Sequence, residues 1–404
     1  MTASASPKPD RRFRRRDAVV QTAVELINEK GVHGMTLAEV AARLDIVATG
    51  VAYYFRRKEK LAATCFLQAI DRFQQIVGEA APQPTPFERV AAVFRAYAAL
   101  YADICEGRTP PIVHFHDAQA LGDEEVNAAF VRLFRSFRGL LVTADASVDA
   151  TALAAQTHQL LAALFWSRRI MESYDSRYFA EIADGILDIL RNGIGALAAG
   201  ESAPALPLEI PPPGSPSDVG PERFLKAATE LINDQGYAGA SVERISARLN
   251  VTKGSFYHHV ETKHDLVIRC LERTIAIMRA AQRQADEQGG SGLQEIYASF
   301  AALIDFQMSE AGPLLALKAV VSIPNPERDA LLKQFGRLSN RSALVIGRGI
   351  ADGSIRPIDA HIGAELLLAI TNAVGDLRLW APELDKTTID AAYTRPFFAG
   401  LLAR

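Results

Sequence analysis

Residues 17–61 read DAVVQTAVELINEKGVHGMTLAEVAARLDIVATGVAYYFRRKEKL, and residues 222–266 read ERFLKAATELINDQGYAGASVERISARLNVTKGSFYHHVETKHDL. The second stretch aligns with the first without a gap, and both contain ELIN, ARL and two glycines at matching places. An ungapped repeat at one fixed offset indicates an internal duplication, which decides the architecture of the whole chain. The sequence therefore predicts two copies of one structural unit.

The rest of the chain fits two helical halves joined by a spacer. Its 404 residues suit two domains, and 49% apolar with 23% charged residues are typical of a globular chain. Outside the repeats, stretches such as ALAAQTHQLLAALFWSRRI at residues 152–170 carry apolar residues at helical spacing. The proline-rich residues 201–219 favour an extended linker. The predicted fold class is all-α.

Three features bear on the environment of the protein. No apolar run reaches the ~18 residues that a membrane span needs, and no hydrophobic signal core follows the N-terminal arginines. The cysteines Cys65, Cys105 and Cys270 have no C-x-x-C spacing, so we expect buried thiols rather than disulfides or a redox site. We therefore expect a cytoplasmic protein without membrane association.

Charge is distributed unevenly along the chain. The formal net charge is −3, yet residues 1–62 carry twelve Lys/Arg against seven Asp/Glu. Residues 219–270 carry seven against six, so the remainder of the chain is acidic. A basic end on an acidic body is consistent with a protein that contacts a polyanion through one face.

Each copy begins with an amphipathic helix that a glycine ends. Gly31 and Gly236 stand where a left-handed C-cap favours glycine. A second helix then starts after Thr36, which forms the capping-box pattern with Glu39. In the other copy the equivalent cap is Ser241, but an arginine replaces the glutamate, so only half of the box is expected.

A tight turn and a short third helix complete each copy. Asp45 and Asn250 are placed in the turn, where their short side chains tolerate a positive φ. The short helices ATGVAYYF and KGSFYHHV follow, from residues 48 and 253. Two short helices around a tight turn form a helix-turn-helix, whose second helix can enter the major groove of DNA.

Both copies resemble one family of regulators. Residues 245–266, ISARLNVTKGSFYHHVETKHDL, are similar to the DNA-binding segment of the tetracycline-repressor (TetR) family, and residues 40–61 resemble it nearly as well. Residues 349–370, GIADGSIRPIDAHIGAELLLAI, resemble part of that family's ligand-binding domain. The resemblance implies an N-terminal helix-turn-helix domain and a helical ligand-binding and dimerisation domain in each half.

The resemblance also implies an architecture, in which one chain supplies both halves of the family's usual homodimer. We expect the units 11–62 (first helix-turn-helix), 63–200 (first ligand-binding domain), 201–219 (linker), 220–267 (second helix-turn-helix) and 268–404 (second ligand-binding domain). Helices near 149–172 and 176–198 would pack on helices near 358–380 and 387–403. Two chains pairing half by half remain the alternative.

The expected partner is a double-stranded DNA operator. Carried over by position, the DNA-binding residues of the second copy are Ser241, Thr252, Lys253, Ser255, Tyr257, His258 and Lys263. Those of the first copy are Thr36, Thr49, Gly50, Tyr53, Tyr54 and Lys58, with Arg14, Arg15 and Arg16 as a basic arm. Ala48 replaces Lys253, so we expect unequal half-sites, or else a first copy that serves only as a structural partner.

A small-molecule effector is the second expected partner. Candidate pocket residues are Tyr97, His114, His116 and Trp166 in the first half and Phe306, Met308 and Trp380 in the second; the alternative interpretation is that these side chains are core. No nucleophile elbow, phosphate loop or metal motif is present, so no catalytic residue, cofactor or metal is predicted. The leading hypothesis is a repressor that a small apolar ligand releases from DNA. An effector-independent DNA-binding protein and, more remotely, a helical enzyme are the alternatives.

Overall fold

The structure is a computed structural model, and it describes residues 11–115, 118, 121–143, 149–196, 219–249 and 262–402. The predicted all-α fold is confirmed, since the described elements are helices apart from one antiparallel bridge between Gly195 and Ile355. The helices of the first half are α1 (Arg11–Gly34), α2 (Leu37–Arg43), α3 (Ala48–Ala52), α4 (Lys58–Ala80), α5 (Pro86–Cys105), α6 (Glu124–Gly139), α7 (Ala150–Met171) and α8 (Phe179–Asn192). Those of the second half are α9 (Val219–Gly239), α10 (Val242–Leu249), α11 (Lys263–Gln288), α12 (Gly292–Met308), α13 (Glu327–Ala351), α14 (Ala360–Ala373) and α15 (Arg395–Ala399).

Local sequence signals explain how the first helices end and turn. Gly31 and Gly236 have φ of 71° and 69°, which interrupts α1 and α9 where the glycines predict it. Asp45 has φ of 52° between α2 and α3, as the turn requires. The predicted glycine C-caps and the first-copy turn are therefore confirmed.

The capping predictions hold only in part. The Thr36 side chain accepts a hydrogen bond from the Glu39 amide at 3.1 Å, but the Glu39 carboxylate pairs with Lys30 of α1 instead of closing the box. The full capping box is therefore wrong, because a nearby ammonium competes for the carboxylate. Ser241 accepts from the Arg244 amide at 3.3 Å, which is the half cap expected there.

The duplication extends to buried contacts. The Cys65 thiol donates to the Val20 carbonyl oxygen at 3.7 Å, and the Cys270 thiol donates to Leu225 at 3.5 Å, the equivalent residue of the second copy. Burial raises the pKa of both thiols to about 12, so they act as packing groups. Cys105 is exposed, which corrects the expectation that all three are buried.

The two halves share a seam formed by α7 and α8 of the first half and α14 of the second, with the turn Asp390–Thr394 packing on α7. The helices approach closely, since a Cβ on Gly185 of α8 would lie 2.9 Å from Ile362 Cδ1 of α14. One buried apolar core contains residues of the first half together with α12, α13, α14 and the C-terminal residues. This contact places both halves in one folded body.

Two expected helix ranges need correction at this seam. In place of one helix at 387–403, the chain forms a π-helical turn Asp390–Thr394 followed by the short α15. In place of a helix over 358–380, α14 ends at Ala373 and a 3-10 segment Val374–Leu379 follows.

Among the described residues, no helix is both long and apolar enough to cross a membrane.

Candidate DNA-binding and effector sites

The third helix of the first helix-turn-helix has one buried apolar face and one solvent-exposed face. Val51 of α3 is fully buried and Phe55 is 6% exposed, so these side chains fix the short helix on the domain core. On the opposite side Thr49 is exposed and Tyr53 is 66% exposed. Gly50 and Tyr54 are half-buried. A short helix held by an apolar face and presenting small polar and tyrosyl groups has the form of a groove-reading element.

The basic arm lies at the start of α1. Arg15 is exposed, whereas the Arg16 guanidinium lies 5.3 Å from the centre of the Phe55 ring. This cation–π contact ties the arm to the residue that anchors the end of the third helix. The side chain of Arg14 lies outside the described part of the chain.

The two lysines expected on phosphates have other contacts. The Lys58 ammonium donates to the carbonyl oxygens of Val32, His33 and Met35, at 3.4, 3.0 and 3.5 Å, and so caps the end of α1. The Lys263 ammonium lies 4.2 Å from the centre of the Tyr237 ring, and burial lowers its pKa. Both lysines therefore join helices in this structure, and their contact with DNA phosphates stays a prediction.

Two of the remaining residues predicted to contact DNA cap helices in the structure, and the other five lie outside the described residues. Thr36 is exposed and Ser241 is half-buried, each at the start of the second helix of its copy. Thr252, Lys253, Ser255, Tyr257 and His258 lie outside the described residues.

The two DNA-binding domains lie beside each other. The His33 ring lies 6.2 Å from the Tyr237 ring, and Tyr237 stacks on His264 at 5.5 Å. α1 also packs against the 3-10 segment Leu317–Ser322 of the second half. The first DNA-binding domain therefore contacts both parts of the opposite half.

A cavity of about 1480 Å³ opens between the halves. It is lined by five of the residues expected in effector pockets, namely Tyr97, His114, Trp166, Met308 and Trp380. Phe306 is core instead, 4% exposed beneath the Arg273 guanidinium, and His116 lies outside the described residues. Tertiary packing brings Met308 and Trp380 of the second half onto the same cavity as Tyr97, His114 and Trp166 of the first half, so these residues line one cavity and not two.

Sequence reasoning missed several aromatic walls of this cavity and one polar residue. The missed side chains are Phe73, Phe130, Phe134, Phe165 and Asn28. Phe130 and Phe134 are four residues apart on α6, a spacing that could have identified an aromatic stripe on one helix face. No local pattern distinguishes Phe73 or Phe165 from ordinary core residues.

An asparagine links each DNA-binding domain to the loop beside the cavity. The Asn28 amide donates to the Ile112 carbonyl oxygen and accepts from the His114 amide, both at 2.9 Å. Its equivalent Asn233 bonds to Leu314 and Ala316 in the same way, at 2.8 and 3.0 Å. Each asparagine therefore connects the first helix of its copy directly to a loop that lines the cavity.

Known proteins match both copies. The N-terminal domain of bacterial regulatory proteins of the tetR family matches residues 19–65 and 224–270. The Transposon Tn10 TetC protein of Escherichia coli is 22% identical over 148 residues, which is 36% of this chain and 73% of that protein. The HTH-type transcriptional activator FasR of Mycolicibacterium smegmatis is 31% identical over 91 residues, covering 22% of this chain and 42% of FasR. The HTH-type transcriptional repressor DhaR of a Mycobacterium species is 26% identical over 138 residues, covering 33% and 69%.

Two solved structures of similar proteins each match less than half of this chain. The regulator PfmR from Thermus thermophilus is 20% identical, with a TM-score of 0.38, and covers 44% of this chain and 98% of PfmR. AibR in complex with isovaleryl coenzyme A and operator DNA is 19% identical, with a TM-score of 0.37, and covers 45% and 99%. The family's domain matches both helix-turn-helix segments, in a chain whose buried contacts repeat in the same register. Both helix-turn-helix segments match the tetR family of bacterial regulatory proteins, and the chain is a DNA-binding transcriptional regulator with two tandem units.

Proposed function

We propose that this regulator is a repressor whose single chain occupies an operator with two unequal half-sites, and that a small apolar effector releases it. The observation that carries the proposal is the seam, in which α7 and α8 of the first unit pack on α14 of the second. One chain thereby presents two helix-turn-helix domains in one folded body, as a homodimer does with two chains.

The two half-sites are expected to differ because the recognition segments differ. Ala48 and Gly50 stand in the first copy where Lys253 and Ser255 stand in the second. We assign Thr49, Tyr53 and Tyr54 to the first half-site, with Arg15 on the neighbouring phosphates. Thr252, Lys253, Ser255, Tyr257 and His258 are assigned to the second. Lysine can contact a guanine edge or a phosphate, whereas alanine offers only a methyl group.

Release by an effector is supported by the position of the cavity. Ile112 and His114 line it, and both are bonded to Asn28 of α1. A ligand that binds better when this loop is displaced shifts the population toward a state in which α1 is reoriented. The DNA-binding domain moves with α1, so the spacing of the two recognition helices changes.

The test of the DNA-binding proposal is footprinting on the DNA upstream of the gene, combined with a salt titration. We expect one protected site whose affinity falls steeply with salt. Tyr53→Ala should weaken one half-site and Lys253→Ala the other, while the exposed control Leu344→Ala leaves both unchanged. If only Lys253→Ala matters, the first copy is a structural partner; uniformly weak binding without a discrete site would contradict the regulator.

A further inference from the structure

We infer that the chain holds one effector site, built jointly by both halves, for a single flat and largely apolar molecule. This inference rests on the proposed function and specifies its effector. It concerns how many molecules bind, which half forms the chamber and which residue of the other half closes it.

The chamber itself belongs to the first half and has aromatic walls. The Phe73 ring lies 5.5 Å from Phe115 and 5.4 Å from Phe165, and Phe115 lies 5.1 Å from Phe165. Tyr97 adds a fourth ring at 5.3 Å from Phe73, and burial raises its pKa to about 12, so its hydroxyl stays neutral. Ring faces and edges of this kind favour a flat apolar guest through stacking and edge contacts.

The second half closes the chamber. The Trp380 indole stacks on Phe134 with ring centres 3.7 Å apart and planes 10° apart, and it also lies 6.3 Å from Phe130. Trp166 of the first half donates its indole N–H to the Glu365 carboxylate of the second at 3.0 Å. The site therefore needs both halves, because neither one alone supplies both the walls and the closing indole.

Ion pairs around the cavity argue for an apolar guest. Arg248 pairs with Glu230 at 2.6 Å, and the Lys318 ammonium lies 3.9 Å from the Asp376 carboxylate. All four residues line the same cavity. A charged ligand would have to compete with these existing pairs, whereas an apolar ligand gains from the aromatic surface without disturbing them.

The loop that corresponds to the chamber wall is locked in the second half. The Arg273 side chain is 1% exposed, pairs with Glu222 at 2.7 Å and donates to the carbonyl oxygens of Ala311 and Pro313 at 2.7 and 2.9 Å. Its guanidinium also lies 5.6 Å from the centre of the Phe306 ring. In the first half the equivalent position on α4 is Gln68, which is exposed. Both loops border the cavity, but in the second half a buried arginine holds the loop onto its own core, whereas exposed Gln68 stands at that position in the first half.

Titration with the neutral fluorescent amine N-phenyl-1-naphthylamine tests the inference. Trp166 and Trp380 are the chain's only tryptophans, and both line the cavity, so their emission reports its occupancy. We expect one dye per chain with quenching of tryptophan emission. Trp380→Ala should weaken binding at least tenfold, Trp380→Phe should restore most of it by keeping a stacking ring, and the exposed control Leu344→Ala should not change it.

Three outcomes would overturn the inference: two dyes per chain, unchanged affinity in a folded Trp380→Ala variant, or no dye bound. Circular dichroism of each variant confirms that the helices are intact. Operator binding is measured separately by footprinting, so failure of the proposed DNA-binding function can be distinguished from failure of the single-site inference. Absence of a specific footprint would contradict the proposed DNA-binding function. Two bound dyes on a chain that protects its operator would contradict only the inference of a single composite site.

Discussion

Ala48 of the first copy occupies the place of Lys253 in the second, and this one residue is the clearest difference between the two recognition segments. Ala48 is exposed, so a longer side chain can be introduced without disturbing the core. We expect Ala48→Lys to tighten binding about 5- to 10-fold through one added phosphate or base contact. Quantitative footprinting at several salt concentrations should show the dependence of log affinity on log salt steepening by about one.

The control for this substitution is Ala48→Gln, which adds length without charge. If neither variant changes the affinity, the first copy does not hold its third helix against DNA, and if both raise it equally, the gain does not come from the added charge. The prediction for Ala48 would then be wrong, while the contacts of the second copy would be unaffected.

Single residues were predictable from sequence when their role was local. Gly31, Asp45 and Ser241 act on their own backbone or on the next turn, so residue type and position were sufficient. Lys58 was not predictable, because the carbonyl oxygens that it caps belong to α1 and face it only after the helices pack. Lys263 was missed for the same reason, since Tyr237 meets it across two helices.

At the scale of elements, Asn28 and Asn233 should differ in how much each one protects its loop from hydrogen exchange. The loop that Asn233 contacts is also held by the side chains of Arg273, Thr274 and Gln307, which hydrogen-bond to its backbone. We expect Asn28→Ala to speed hydrogen exchange at residues 112–115 at least tenfold, because the His114 amide loses its acceptor.

The matched variant is Asn233→Ala, which should leave the amides of Leu314 and Leu315 protected. Their acceptors are the side chains of Gln307 and Thr274, which remain in place. Hydrogen exchange followed by mass spectrometry checks both loops in one experiment. Equal loosening of the two loops would contradict the difference that the structure shows between the halves.

Helix identity was easier to predict than helix length. The helices α7 and α14 were predictable from apolar periodicity. The structure adds that the carboxylates of Asp149 and Asp359 accept from the first amides of each helix. The expected helix at 387–403 failed because Pro396 has no amide proton and the preceding turn widens to a π-helix. The expected domain limits at 62 and 267 fall inside α4 and α11, which run from each DNA-binding domain into the next.

At the scale of the whole molecule, a buried histidine makes the seam sensitive to pH. His158 of α7 is 7% exposed, and its Nδ1 lies 3.0 Å from the Tyr393 hydroxyl of the second half. Burial lowers the pKa of His158 to about 4, whereas an unfolded histidine titrates near 6.5. The neutral ring therefore stabilises the fold fully above about pH 6.5, and this contribution is lost as the pH falls toward 4.

Urea unfolding at pH 7 and pH 5 measures this effect. The free energy of unfolding should fall more between these values in the native chain than in His158→Phe, by on the order of 2 kcal/mol for the 1.5-unit interval below pH 6.5. His361→Gln serves as a control at the start of α14. An identical pH dependence in native and His158→Phe proteins would show that the histidine is not held neutral at the seam.

The duplication was visible in the sequence, but the shared cavity was not. Two copies of one segment at a fixed offset predict two units, and the family's paired helices predict which surfaces meet. Phe134 and Trp380, however, are separated by more than half of the chain and come together only when the halves pack. Contacts between distant residues of this kind leave no periodic signal, so the composite site required the structure.

The central claim is that one chain supplies both halves of the DNA-binding assembly, and the mass of the protein–operator complex tests it most directly. Analytical ultracentrifugation or native mass spectrometry on the purified complex counts the chains bound to one operator. We expect one chain of 43.9 kDa on DNA in which both half-sites are protected. Two chains on a single operator, each using one helix-turn-helix, would contradict the account.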